Sequence, residues 1–478
     1  MRLVFPKRGK KGQECRGRSL DKKSFIPPST NDFFNRSCES NPSMSGVTSK
    51  PSGSQQTSAD DLFSRLGPGL ITGAADDDPS GIATYSQVGS QFGFAMLWSM
   101  LFSFPMMAAI QEICARLGRI TGLGVAANLR KCYSKPVVYG VVFLLFLANV
   151  FNLGADLSAM AAATQLVTGG KLATYALLFG FLSLLLQIYI PYRSYVHYLK
   201  WLTWSLFAYV LTAFVVHVPW LTALRSAFLP SLSADPEYLT ALVAVLGTTI
   251  SPYLFFWQTS EEAEEIRADK NQSALKEKPW QAFAQFRRIA LDTRVGMAFS
   301  NLVAFFIILT TAATLHAAGN GTAVHSAAGA AKALEPLAGR FASLIFALGI
   351  VGTGLLAVPV LAGSSAYAVA ELLHWRASLE HKPRQAPKFY AVLSLATVLG
   401  VLLNFLGIDP MKALFWSAVI NGIVAIPLMF MLMAMASDKR VVAQFPLPAH
   451  LRVGGWLATL AMTLAGFAFL ASKIEKLF

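Results

Sequence analysis

Charge is scarce in this chain. Asp, Glu, Lys and Arg supply 14% of its 478 residues, against about a quarter in an ordinary soluble domain. So few charges cannot solvate the surface of a water-soluble protein of this length, which excludes a soluble enzyme or scaffold. Cysteine is scarce too: Cys15, Cys38, Cys114 and Cys132 show no CxxC spacing, so neither a zinc site nor a disulfide framework is expected, and the four read as free thiols. No phosphate-binding loop, nucleophile–base pair or ligated-metal motif occurs, which argues against an enzyme and against a bound cofactor. Acidic residues are fewer than basic ones, 26 against 40, a net charge of +14. The Lys and Arg residues fall between apolar segments rather than in one aromatic-laced patch, so they are read as membrane topology and not as a nucleic-acid surface.

What the chain has is apolar length. Hydrophobic residues make up 54% of it, the mean hydropathy is +0.49, and runs of about 20 residues, enough to cross a bilayer core, recur from Leu66 onward. Eleven spans are predicted, beginning near residues 66, 94, 136, 172, 194, 238, 290, 340, 388, 410 and 453. The segments Arg116 to Lys135, Arg193 to Lys200, Arg267 to Arg288, Arg376 to Lys388 and Lys439 to Arg452 are basic, and the intervening connections carry few Lys or Arg. That alternation fits a cytoplasmic N-terminus under the positive-inside rule. Residues 1–58 are rich in Lys, Arg, Ser, Pro and Gly without periodicity and are read as a disordered basic cytoplasmic tail, followed by a transporter domain over 59–478.

Two spans are interrupted alike. The first carries Asp76-Asp77-Asp78-Pro79-Ser80-Gly81 and the sixth Thr248-Thr249-Ile250-Ser251-Pro252-Tyr253. Proline breaks a helix and glycine lets it unwind. Unwound backbone at membrane depth is tolerated only inside protein or beside a wet cavity, and a pair of such breaks five helices apart points to an inverted-repeat transporter. A simple proline kink is the plainer alternative at either site alone. The expected architecture is all-α, with a 5+5 inverted repeat of the LeuT type: repeat one about 62–216, repeat two about 237–436, and an extra helix about 453–474.

A carboxylate near the bilayer centre is costly unless paired, hydrated or ligating. Successive helix residues fan out by about 100°, so one Asp should point at the break; Asp78, directly before the proline, is the best ligand candidate, with Asp77 beside it and Asp76 toward the pathway. The opposite break offers the carbonyls of Thr248 and Thr249, the Ser251 hydroxyl and the Tyr253 phenol, and Ala75 offers its carbonyl on the first helix. Carboxylate, carbonyl and hydroxyl suit hard cations such as Mg²⁺ or Mn²⁺. Asp156, in the third span, relays protons or cations or else makes a structural hydrogen bond. Asn421 in the tenth span reaches the pathway or bonds between helices, the second being favoured, as for Asn301. Glu112 is expected to pair with Arg116 four residues on. Glu261, Glu262, Glu264 and Glu265 are read as either a cation-collecting vestibule or a solvated helix end.

On these motifs the chain resembles the Nramp family of divalent metal transporters over about residues 62–473. The resemblance rests on Gly67-Pro68-Gly69, Asp78-Pro79, Ala83-Thr84, Gln91-Phe92-Gly93 and Asp156-Leu157. It implies that Asp78 is the family's metal-binding Asp. The family's Asn at the first break is Gly81 here, its Met is Ser251, its His is Tyr253, a later His of the sixth helix is Gln258, and the third-helix Glu tied to proton movement is Ala159. Loss of the thioether removes a soft ligand, and the small residues imply a wider cavity for a partly hydrated ion. The resemblance is therefore to the divergent magnesium-transporting branch, without obligatory proton coupling, and it implies a metal site of Asp78, Asp77, Ala75, Gly81, Thr248, Ser251 and Tyr253, with Asp76, Asp156, Gln258 and Asn421 along the pathway. The expected function is import of Mg²⁺ or Mn²⁺, Mg²⁺ favoured, across the plasma membrane; the transported ion and the bilayer are the only partners read. Proton-coupled import of Mn²⁺ or Fe²⁺ and amino-acid transport on the same fold are the alternatives, the latter opposed by three Asp residues that would repel a substrate carboxylate.

Overall fold

The computed structural model describes residues 68–190, 202–269, 272–319, 326–379 and 382–475. The basic tail and the segment from Arg193 to Lys200 lie outside the described residues. Among the described residues the chain is helical, with no strand. In chain order the helices are α1 (Pro68–Asp76), α2 (Pro79–Phe92), α3 (Leu97–Thr121), α4 (Val125–Cys132), α5 (Lys135–Thr168), α6 (Leu172–Tyr189), α7 (Phe207–Val215), α8 (Trp220–Phe228), α9 (Pro236–Thr249), α10 (Pro252–Ala268), α11 (Ala282–Thr311), α12 (Ala342–Leu372), α13 (Pro387–Leu403), α14 (Pro410–Ala436) and α15 (Ala449–Glu475). Short helical turns fill several connections.

Nine helical segments among the described residues are long and apolar enough to cross a membrane, and Trp204–Val215 is a shorter apolar helix. One of the nine, Pro79–Thr121, joins α2 to α3 through a turn at Gly93. Counting α2 and α3 as two crossings and adding α7 gives the eleven expected. Large apolar side chains such as Phe143, Phe181 and Phe467 stand more than half exposed on the outside of the bundle, the arrangement of a protein whose solvent is lipid. The protein is an integral membrane protein.

Both interruptions are true breaks and not kinks. α1 stops at Asp76 and α2 starts at Pro79; α9 stops at Thr249 and α10 starts at Pro252. In each second half the proline occupies the first turn, where its missing N–H costs nothing and its fixed φ suits a helix. The sixth span, α9 with α10, is the hub: 94% of its most apolar window is buried, and it packs on α14, α3, α12 and α15. α1 lies along α11 at a separation that only glycine allows, since a Cβ on Gly73 would sit 2.4 Å from the Gly296 carbonyl oxygen. Likewise a Cβ on Gly247 would meet the Ala418 oxygen at 2.1 Å, which brings α9 against α14 just before its break.

Candidate functional site

The two breaks meet at Asp78. As N-cap of α2, its Oδ1 accepts from the Gly81 N–H and the Ser80 hydroxyl, both at 2.7 Å, so half the carboxylate is spent on the orphan donors of the helix start, where negative charge is also favoured. Its Oδ2 faces inward, taking hydrogen bonds from Tyr253 of α10 and from Asn152 of α5 at 3.3 and 3.2 Å. The Tyr253 hydroxyl also stands 3.3 Å from the Ala75 carbonyl. One phenolic proton thus serves a carboxylate and a carbonyl on the opposite half-helix. Asp78, Ala75 and Tyr253 come together as expected.

The rest of the expected donor set is divided. The Ser251 hydroxyl turns back to the Thr248 carbonyl at 2.8 Å and that of Gly247 at 3.0 Å, so it satisfies its own break. Gly81 lies beside Thr248: a Cβ there would stand 3.2 Å from Thr248 Oγ1, and the extra room expected at this position is closed off in this conformation, with Asp78, Thr248, Ser251 and Tyr253 all buried. Asp77 does not join Asp78 in a pair of ligands. It shares the Ser300 hydroxyl of α11 with Asp76, at 3.0 and 2.7 Å, leaving Asp76 Oδ1 without a partner. Gln258 accepts a short hydrogen bond from Thr72, which ties α10 to α1. Asp156 is fully buried, with neither oxygen in a hydrogen bond of ordinary geometry, and the Ser80 backbone N–H and the Asp78 charge both bear on it. Asn421 is buried on α14 with neither side-chain end bonded, so the interhelical bond favoured for it is not formed here. Asn301 does make one, to Ser103 at 3.3 Å. Among the described residues no group of three His, Cys, Asp or Glu side chains could hold a metal; this is a site of one carboxylate among neutral oxygens.

Asn152 and Ser300 went unforeseen. Asn149, Asn152 and Asp156 recur at helical spacing along an apolar segment, a polar stripe that was there to be read. Ser300 has no such signal. The glutamate cluster is neither an open vestibule nor a solvated end. Glu262 is buried between Arg119 and Arg288, with Arg288 at 2.7 Å and Arg119 at 3.7 Å; Glu265 meets the same two arginines at 3.0 and 3.5 Å. Glu264 accepts from the Tyr367 hydroxyl at 2.6 Å. Glu112 pairs with Arg116 at 2.9 Å as expected, and with Arg294 at 3.1 Å besides. Of the cysteines, Cys114 and Cys132 are free.

Two broken helices, their ends joined through one buried carboxylate, define a polytopic membrane protein of the inverted-repeat, broken-helix class. The family model described as natural resistance-associated macrophage protein-like, Nramp, matches residues 69–472, and the chain belongs to that family. It is similar to the divalent metal cation transporter MntH of Klebsiella pneumoniae (strain 342), with 26% identity over 422 residues, 86% of this chain and 94% of that protein. Among solved structures it resembles the manganese transporter of Eremococcus coleocola, with a TM-score of 0.67 at 17% identity, covering 88% of this chain and 89% of that one. It also resembles Mhp1, a nucleobase-cation-symport-1 family transporter in a closed conformation, with a TM-score of 0.55 at 15% identity over 86% and 93% of the two chains. At these identities the structures speak for the fold.

Proposed function

We propose that this protein is a carrier, not an enzyme, that moves divalent cations through the junction of the two breaks, with Mg²⁺ as the favoured ion and Mn²⁺ next. The observation that supports this best is Asp78 Oδ2, a buried carboxylate oxygen held among the Ala75 carbonyl, the Tyr253 phenol and the Asn152 amide. Every donor there is hard, and no sulfur or imidazole competes, which favours an ion that keeps part of its water over one that seeks soft ligands. The similar proteins described as divalent metal and manganese transporters support the cation class. Asp78 is the principal ligand in this reading. Ala75, Gly81, Thr248, Ser251 and Tyr253 supply oxygen atoms directly or through water once the site opens, and Asp77, with Asp76, Gln258, Asp156 and Asn421, borders the route. The plasma membrane and a cytoplasmic N-terminus complete the proposal.

Proton-coupled import of Mn²⁺ is the second reading, favoured by one observation: Asp156, a second buried carboxylate within reach of the Asp78 charge, is placed to carry a proton. Proteoliposomes loaded with Mg²⁺-, Mn²⁺- and pH-sensitive dyes separate the two. Mg²⁺ entry without acidification is expected; Mn²⁺ entry with acidification and no Mg²⁺ entry would overturn the first reading in favour of the second. Asp78→Ala should abolish uptake of either ion, and normal uptake by that variant would sink the site.

A further inference from the structure

Asn152 does more at this site than its one hydrogen bond. It sits on α5, fully buried, and its Nδ2 donates to Asp78 Oδ2 at 3.2 Å. With Asp78 ionised its oxygens only accept hydrogen bonds, which agrees with the amide nitrogen facing Asp78. The carbonyl Oδ1 is then the free end, and it has no hydrogen-bond partner although it is buried. A buried amide oxygen without a partner is destabilising, and a passing ligand would relieve it. One turn on, along the same face, lies Asp156, close enough for the Asp78 charge to bear on it; one turn back, Asn149 donates its Nδ2 to the Ser364 and Ser365 hydroxyls at 2.9 Å each, away from Asp78, and its Oδ1 is unpartnered as well. What sets Asn152 apart from Asn149 is that its nitrogen is bonded to Asp78 itself.

We propose that Asn152 is a specificity-determining ligand: its nitrogen aims Asp78, and its carbonyl oxygen binds the transported divalent cation or a water of that ion's shell. This rests on the reading of Asp78 as the ion site and adds a third helix to a site built from two breaks. An amide oxygen is a hard, neutral ligand, so it favours an oxygen-seeking, partly hydrated ion without adding a charge that would slow release. The Asp78 carboxylate supplies attraction; Asn152 supplies discrimination.

Two substitutions separate a ligand from a residue that merely positions Asp78. Asn152→Asp keeps an oxygen at the position and loses the donor when ionised, while Asn152→Leu loses both at similar volume; Asn152→Ala accompanies them, so that a misfolded leucine variant leaves the comparison standing. Concentration dependences of Mg²⁺ and Mn²⁺ uptake are measured side by side in proteoliposomes. If Asn152 is a ligand, the Leu and Ala variants raise half-saturation for Mg²⁺ at least about tenfold, the scale of losing a group that tunes a metal site, and shift the Mg²⁺ to Mn²⁺ preference, while Asn152→Asp keeps half-saturation nearer the parent and lowers the maximal rate, its added charge slowing release. Equal losses in Asp and Leu variants, or no change in either, would overturn the proposal. Should the parent carry Mn²⁺ but not Mg²⁺, the magnesium reading fails by itself and the Asn152 comparison is read from Mn²⁺.

Discussion

A phenol between two half-helices sets a clear expectation at the scale of single residues. Tyr253 has one proton and two acceptors, the Ala75 carbonyl and Asp78 Oδ2, each 3.3 Å away. Removing the hydroxyl deletes a hydrogen bond to a charged group, worth about 1.5–3 kcal/mol, and leaves the ring to fill the same space. Tyr253→Phe should therefore fold normally, with an unchanged melting temperature in detergent to within a few degrees, and should weaken Mg²⁺ uptake roughly tenfold or more at low ion concentration, since each 1.4 kcal/mol is about a factor of ten. Uptake equal to the parent would remove Tyr253 from the site. Asp78 was legible because a carboxylate before a proline inside an apolar run has few harmless explanations. Asn152 was marked only by the stripe it forms with Asn149 and Asp156, and since an amide in a membrane helix most often just bonds to a neighbour, only its bond to Asp78 separates the two cases.

Helices were legible where hydropathy is a long-range signal. The spans expected near residues 136, 172, 238, 340, 388, 410 and 453 begin at Lys135, Leu172, Pro236, Ala342, Pro387, Pro410 and Ala449, because apolar length and proline at the first turn are written locally. How the helices pack is not written locally. Asp76 and Asp77 turn to Ser300 because α1 is pressed on α11 through Gly73 and Gly296, a contact across more than two hundred residues that no single-helix pattern contains. Gly73→Leu should force α1 off α11, with loss of transport and a lower melting temperature; a variant that keeps both would show that α1 tolerates displacement. The glutamate run of α10 was misread for the same reason, as the arginines that bury it come from α3 and α11. Glu262→Ala leaves Arg119 and Arg288 with only the partly exposed Glu265 between them, and removal of one partner of a buried pair costs up to about 3–5 kcal/mol. We expect a clearly lowered melting temperature for Glu262→Ala and a smaller loss for Glu265→Ala, whose carboxylate is 24% exposed. The reverse order would show that the arginines are held by something other than Glu262.

At the scale of the whole molecule, the alternation of charge along the chain makes the orientation of the bundle in the membrane testable. α4 ends in Arg130 and Lys131, Lys276 lies against the Arg440 carbonyl, and Lys439 and Arg440 open the turn before α15. Lys276 and Lys131 feel one another's charge, and Lys131, Lys276 and Arg440 all bear on Cys132, so segments far apart in sequence gather on one side of the bundle. That clustering is what the positive-inside rule demands of a cytoplasmic face. The connection from α8 to α9, with Leu232 exposed, lies five crossings from the turn at Lys439 (spans six to ten), an odd number, and so belongs on the opposite side. A miscounted span between them would place both on one side. With the native cysteines replaced, Lys439→Cys should react with a membrane-impermeant maleimide only after cells are opened, and Leu232→Cys should react in intact cells. Labelling of both from the same side would break the eleven-span count, and labelling with the two sides exchanged would keep the fold but reverse the molecule.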